Sequence, residues 1–304
     1  MDKIIEITGL KKSYGALEAV KEIDFYVERG TFFAFLGPNG AGKSTTINII
    51  DTLLKPDGGD VIIDGYTLGR EDDKIRPILG TVFQDNLLDR LLTVKENLII
   101  RGSFYYSNKD DLMTAVDYAA ESTGVTGYLD RPYGKLSGGQ RRRADIARAL
   151  VNTPKIFILD EPTTGLDPQT RQNVWQAIEH LRKEKNMTIF LTTHYMEEAA
   201  KADYVVVIDN GSITAKGTPA QIKEQYSTDH LIIHTSHMEE IIDILKYMGF
   251  TYVLKGDTIT IKLDSTLQAL PVIEQCKDKI RGFQVIEGNM DDAFINITGK
   301  EIRE

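Results

Sequence analysis

The stretch TFFAFLGPNGAGKSTTINIIDTLL, residues 31–54, limits the possible folds more than any other part of this chain. TFFAFL is an almost continuous apolar run, as expected of a strand covered on both faces. GPNGAGKS fits G-x-x-x-x-G-K-[ST], and STTINIIDTLL after it reads as a helix. A strand, a glycine-rich turn and a helix in that order make a phosphate cradle, because unpaired N–H groups and the helix dipole meet at the helix start. Gly37, Pro38, Gly40, Ala41 and Gly42 shape the turn, and the N–H groups of Asn39 to Thr45 wrap the phosphates. Lys43 supplies a point charge to the β and γ phosphates, and the Ser44 hydroxyl completes a Mg²⁺ shell.

Two further apolar strands, KIFIL (155–159) and TIFLTT (188–193), also end in polar clusters. In a parallel sheet such ends gather at one crevice, so the three runs are expected to converge. DE follows the first of them. Asp160 is assigned to Mg²⁺ and Glu161 to polarising the attacking water as general base, since neighbouring residues leaving a strand point apart. His194, after the second, is read as a donor to the γ phosphate. The remaining histidines show no metal-ligand spacing and are read as ordinary.

Residues 1–227 alternate β-rich and helical runs, the pattern of an α/β domain with a mostly parallel core sheet. IDFYV (23–27) and VIID (61–64) suggest an antiparallel β edge, and a helical subdomain is expected at about 87–152. From 228 to 304 the order βαββαβ predicts a small α+β domain of ferredoxin-like type. A net charge of −9 argues against nucleic acid as a partner, and no apolar run approaches the ~20 residues that span a bilayer. The charged N-terminus is unlike a signal peptide, and a single cysteine, Cys276, fits a reducing compartment.

KLSGGQRRRADIARAL, residues 135–150, places two glycines at the mouth of an arginine-studded helix, a second anion-binding start. Its arginines are read as a solvated or phosphate-facing surface. With GPNGAGKS, LSGGQ and ILDE in this order, the first three-quarters of the chain resembles the ATP-binding cassette family of transport ATPases. The resemblance implies that Ser137, Gly138, Gly139 and Gln140 are the signature that covers ATP held by another subunit. It implies that Tyr14 stacks on adenine, that Gln84 touches Mg²⁺ and senses a membrane partner, and that Asp167 reaches across the dimer.

The partners implied are a second copy or a homologous cassette, arranged head to tail, and a separate transmembrane permease, placing the chain at the cytoplasmic face of the membrane. The run from SGGQ to WQAI is similar to cassettes of bacterial multidrug and antibiotic-resistance exporters, which often carry a small C-terminal domain. Ala144 and Asp145 stand where leucine and glutamate are common. The competing reading is a cassette ATPase serving assembly or regulation without transport, and a third makes the C-terminal domain a ligand sensor.

Overall fold

The computed structural model describes residues 2–299. The chain divides into two compact units, residues 1–216 and 217–304.

In the first unit, β1 (Lys3–Tyr14), β2 (Leu17–Glu28), β3 (Phe32–Leu36), α1 (Lys43–Ile50), β4 (Gly58–Ile63), β5 (Tyr66–Thr67), α2 (Asp72–Ile75) and β6 (Leu79–Val82) come first. Three helices follow, α3 (Val94–Gly102), α4 (Lys109–Thr123) and α5 (Gly138–Leu150). The remainder is β7 (Ile156–Asp160), α6 (Pro168–Lys185), β8 (Thr188–Thr193), α7 (Met196–Ala199), β9 (Tyr204–Asp209) and β10 (Ser212–Gly217).

The central sheet has the order β10-β9-β3-β8-β7-β6. Its β9-β3, β3-β8, β8-β7 and β7-β6 pairings are parallel. All five residues of β3 and β7 and all six of β8 are buried, which is why their sequences are apolar without alternation. Leu36 pairs with Thr193 and Asp160 with Thr192, so the three expected strand ends do meet.

The expected antiparallel edge is a sheet of its own, in the order β2-β1-β4-β5. Its strands alternate buried and exposed side chains, so only one face needs cover. That face shares a core with α1 and the parallel sheet, in which Phe25, Phe33, Phe35 and Phe190 pack ring against ring. Burying each such ring contributes about 2 kcal/mol.

The helical subdomain is α3, α4 and α5 packed on one another. Thr93 with Glu96 and Ser137 with Gln140 form capping boxes that fix where α3 and α5 begin.

The second unit holds α8 (Pro219–Tyr226), β11 (Asp229–Thr235), α9 (Met238–Met248), β12 (Tyr252–Lys255), β13 (Thr258–Leu263), α10 (Ala269–Cys276), β14 (Ile280–Ile286) and α11 (Met290–Thr298). From β11 to β14 the order is the βαββαβ read from the sequence, in a sheet ordered β12-β13-β11-β14. Leu231, Ile233, Ile259 and Ile261 form its core with Ile241, Leu245 and Val272. The unit begins earlier than the expected 228 because α8 packs on α11, where Asn296 Nδ2 donates to the Tyr226 carbonyl at 2.8 Å. Residues 300–304 of the expected domain lie outside the described residues.

Candidate nucleotide site

The turn after β3 is tight enough to exclude side chains at two glycines. A Cβ on Gly37 would lie 2.3 Å from the Ile208 carbonyl oxygen. Gly42, at φ +109°, would place one 2.5 Å from the Ala19 carbonyl oxygen. Gly42 starts α1 with no side-chain cap and no acidic residue in the first turn, which leaves the leading N–H groups and the helix dipole for an anion.

Beside this turn lies a cleft of about 380 Å³ lined by Tyr14, Leu17, Ala19, Asn39, Gly40, Gly42, Lys43, Ser44, Thr45, Gln84 and Glu161. Gly37, Pro38 and Ala41 do not line it. They form the frame behind it, with Ala41 buried and its N–H donating to the Pro38 carbonyl at 3.2 Å. Half-exposed Tyr14 offers a ring face at the mouth.

Lys43 is buried, and its ammonium donates to the Gly37 and Pro38 carbonyls at 2.7 and 3.1 Å. It also lies 3.1 Å from Glu161 Oε1. The Ser44 hydroxyl, which lines the cleft, is hydrogen-bonded to the buried Asp160 carboxylate, which does not line it, so two hard oxygen donors stand together. Among the described residues no cluster of three or more His, Cys, Asp or Glu could cage a metal. The pair suits Mg²⁺, which keeps waters and takes phosphate oxygens rather than needing an all-protein cage.

Asp160, the last residue of β7, accepts from Thr192 Oγ1 at 2.5 Å. Burial pushes its carboxyl above the ordinary range, against the pull of the Thr192 and Ser44 hydroxyls. Glu161 adopts φ +45°, a left-handed conformation that costs a non-glycine residue about 1 kcal/mol or more. Its N–H donates to the Thr192 carbonyl and hydroxyl oxygens, each at 3.2 Å. The reversal delivers its carboxylate between Lys43 and His194, whose Nδ1 is 3.3 Å from Oε1. Burial raises the Glu161 carboxyl, but the adjacent His194 imidazole and the Lys43 charge outweigh it and hold the group at about 2. The carboxylate is therefore ionised at neutral pH.

His194 itself does not line the cleft and reaches it only through Glu161. The chain after it is anchored by Glu198, which is buried and accepts from Thr163 Oγ1, from Trp175 Nε1 at 3.1 Å and from Thr193 Oγ1 at 2.7 Å. The sequence reading missed both Thr192 and Glu198. The signal for Thr192 was a pair of threonines inside an otherwise apolar strand.

The signature residues do not line this cleft. Ser137 and Gly138 are exposed at the start of α5, and Ser137 and Gln140 bond to each other's backbone N–H. A Cβ on Gly139 would lie 2.4 Å from Thr170 Cγ2. Asp167 caps α6 by accepting from Thr170 N and Oγ1 at 3.0 and 2.6 Å. The signature and Asp167 thus share one exposed face, separate from the phosphate cradle of the same chain.

The arginine run needs correction. Arg141 and Arg143 are partly exposed, but Arg142 and Arg148 are buried and face neither solvent nor phosphate. Arg142 donates to the carbonyls of Phe83, Asp160, Glu161 and Pro162, and Arg148 to that of Thr81. Asp145, buried beside them, accepts from Tyr133 Oη at 2.7 Å. Helix period puts positions 142, 145, 146 and 149 on one face but leaves 148 beside the partly exposed 141, so it does not by itself mark both buried arginines.

A family model described as ABC transporter matches residues 20–164. The chain is 33% identical to the Nod factor export ATP-binding protein I of Rhizobium sp. (strain N33), over 100% of both chains. It is 34% identical to the daunorubicin/doxorubicin resistance ATP-binding protein DrrA of Streptomyces peucetius, over 98% of this chain and 93% of that one. Among solved structures, the dimeric post-hydrolysis state of the ATP-binding cassette MJ0796, bound to ADP and Pi, superposes with a TM-score of 0.65. It is 29% identical and covers 70% of this chain and 98% of its own. With a phosphate cradle, an ionised carboxylate beside it and a signature on another face, the chain belongs to the ABC transporter family, as an ATP-binding and ATP-hydrolysing subunit.

Proposed function

We propose that this chain powers an exporter by closing around ATP as a head-to-tail pair of cassettes, each active site drawing residues from two chains. The observation that carries the reading is the placement of Glu161. Its ionised carboxylate sits at the phosphate cradle with Lys43 and His194, while Ser137 to Gln140 and Asp167 face elsewhere. A signature that cannot serve its own cleft is available to a neighbour's.

Tyr14 stacks on the adenine, the Asn39 to Thr45 loop wraps the phosphates, and Lys43 moves from its contacts with the Gly37 and Pro38 carbonyls to the β and γ oxygens. Ser44, Asp160 and Gln84 would hold Mg²⁺, which neutralises charge on the phosphate oxygens. Glu161 orients and polarises the attacking water. His194, with Nδ1 3.3 Å from Oε1, steadies that carboxylate from outside the cleft. The nucleotide's negative charge offsets the separation of Lys43 from Glu161, leaving the carboxylate free for water.

Among the described residues no helix is long and apolar enough to cross a membrane. The substrate path belongs to a separate permease, gripped near Gln84 and the helical subdomain on the cytoplasmic side. The exporter relatives, matched along nearly their whole length, support export over a soluble assembly role.

Mixing two inactive variants tests the shared site. Lys43→Ala removes the phosphate lysine and Ser137→Arg blocks the signature, so each alone is expected to lose turnover. The mixed dimer contains one intact cradle facing one intact signature and should recover ATP hydrolysis. Normal turnover by Ser137→Arg alone, or no recovery on mixing, overturns the two-chain site.

A further inference from the structure

The buried guanidinium of Arg142 has no role in the reading above, yet it makes four hydrogen bonds to backbone carbonyls around the site. It lies on α5, little more than a helical turn beyond Ser137 and Gly138. Its Nε donates to the Pro162 carbonyl at 2.6 Å and its Nη1 to the Phe83 carbonyl at 2.6 Å. Its Nη2 is shared by the Asp160 and Glu161 carbonyls, both at 3.2 Å. The planar five-donor fork of arginine can hold several carbonyls at fixed angles, which a lysine's compact ammonium cannot.

Three of these acceptors are consecutive and bracket Glu161, the residue at φ +45°. Thr192 holds the Glu161 N–H from the β8 side and Arg142 holds the carbonyls from the α5 side. The peptide planes flanking Glu161 are thus fixed from both directions. This keeps the backbone reversed and aims the carboxylate at Lys43 and His194. The fourth acceptor, Phe83, immediately precedes Gln84, which lines the same cleft as Glu161. One side chain on the signature helix therefore sets the register of both the carboxylate and the amide at the nucleotide.

We infer that Arg142 is a positioning residue that aligns Glu161 and Gln84 with the nucleotide and ties their alignment to the placement of the signature helix. It acts through backbone carbonyls and touches no reacting atom. The inference rests on the reading of Glu161 as the base. When the signature of one chain is pulled onto ATP held by its partner, α5 carries Arg142 with it, and the carboxylate of the first chain's own site is adjusted in step.

The test is steady-state ATP hydrolysis by the full chain carrying Arg142→Lys, Glu161→Gln or both. Arg142→Lys keeps the buried charge but loses the fork. It is expected to lower kcat at least tenfold while KM and the affinity for a fluorescent ATP analogue stay within twofold. In the Glu161→Gln background the same change should have no further effect on the residual rate.

An unchanged kcat, a loss confined to KM, or a full additional loss in the double variant overturns the inference. Glu161→Gln alone tests the base assignment, so the two readings can fail separately. Should Arg142→Lys not fold, Arg142→Gln, whose amide carries two donors, is measured with the same expectations.

Discussion

Replacing Glu161 by glutamine probes stability and chemistry together, and the structure sets the size of both effects. The carboxyl titrates at about 2 against an ordinary 4.5, because His194 and Lys43 outweigh the cost of burial. At about 1.4 kcal/mol per pH unit, the folded chain favours the ionised form by about 3 kcal/mol. A depressed folded pKa gives stability that is fully present above pH 4.5 and is lost as pH falls through about 2. At pH 7 the nucleotide-free Glu161→Gln chain should therefore be less stable by up to about 3 kcal/mol. Lys43 retains the Gly37 and Pro38 carbonyls, which makes that figure an upper bound.

The deficit should narrow as pH drops below 4.5, where the wild type loses its own advantage. Urea denaturation followed by the chain's single tryptophan, Trp175, reports on the first unit, where the ring is buried against Glu198. Turnover, read as phosphate release at saturating ATP, should fall by about 10² to 10⁴, the usual contribution of a general base. ATP binding should persist, and the dimer should accumulate with ATP on size-exclusion chromatography. Wild-type turnover, or equal stability of the two chains at pH 7, would falsify the assignment of Glu161 as an ionised base held between Lys43 and His194.

Gly42→Ala should abolish nucleotide binding and cost about 2 kcal/mol or more, since the new methyl meets the Ala19 carbonyl at 2.5 Å with φ at +109°. Fluorescent-ATP titration and thermal unfolding read the two effects, and unaltered binding would show that the turn can relax. Truncation after Lys216 should yield a better-behaved cassette than truncation after Ser227, because the longer piece keeps α8 without the α11 it packs on. Comparing soluble yield and melting temperature decides this, and a more stable longer fragment would reassign α8 to the first unit.

The phosphate cradle was legible because its chemistry is local. GPNGAGKS needs no distant residue to turn tightly, to start a helix or to present Lys43 and Ser44. The buried strands were legible for a related reason, as cover on both faces removes alternation from the sequence. Convergence of Gly37, Asp160 and His194 followed from parallel pairing, which puts consecutive strand ends on one edge.

The arginine run shows the limit. Composition makes four arginines on one helix look solvated, and only packing against β6 and the turn after β7 tells Arg142 and Arg148 from Arg141 and Arg143. The Glu161 reversal was equally hidden, because no local preference places glutamate at φ +45°. The sequence determined which groups meet the nucleotide, since those groups sit in short motifs whose backbone geometry is self-contained. Tertiary structure alone decided how the carboxylate is aimed and held ionised, since that depends on contacts with Thr192, His194, Lys43 and Arg142, residues far apart in the chain.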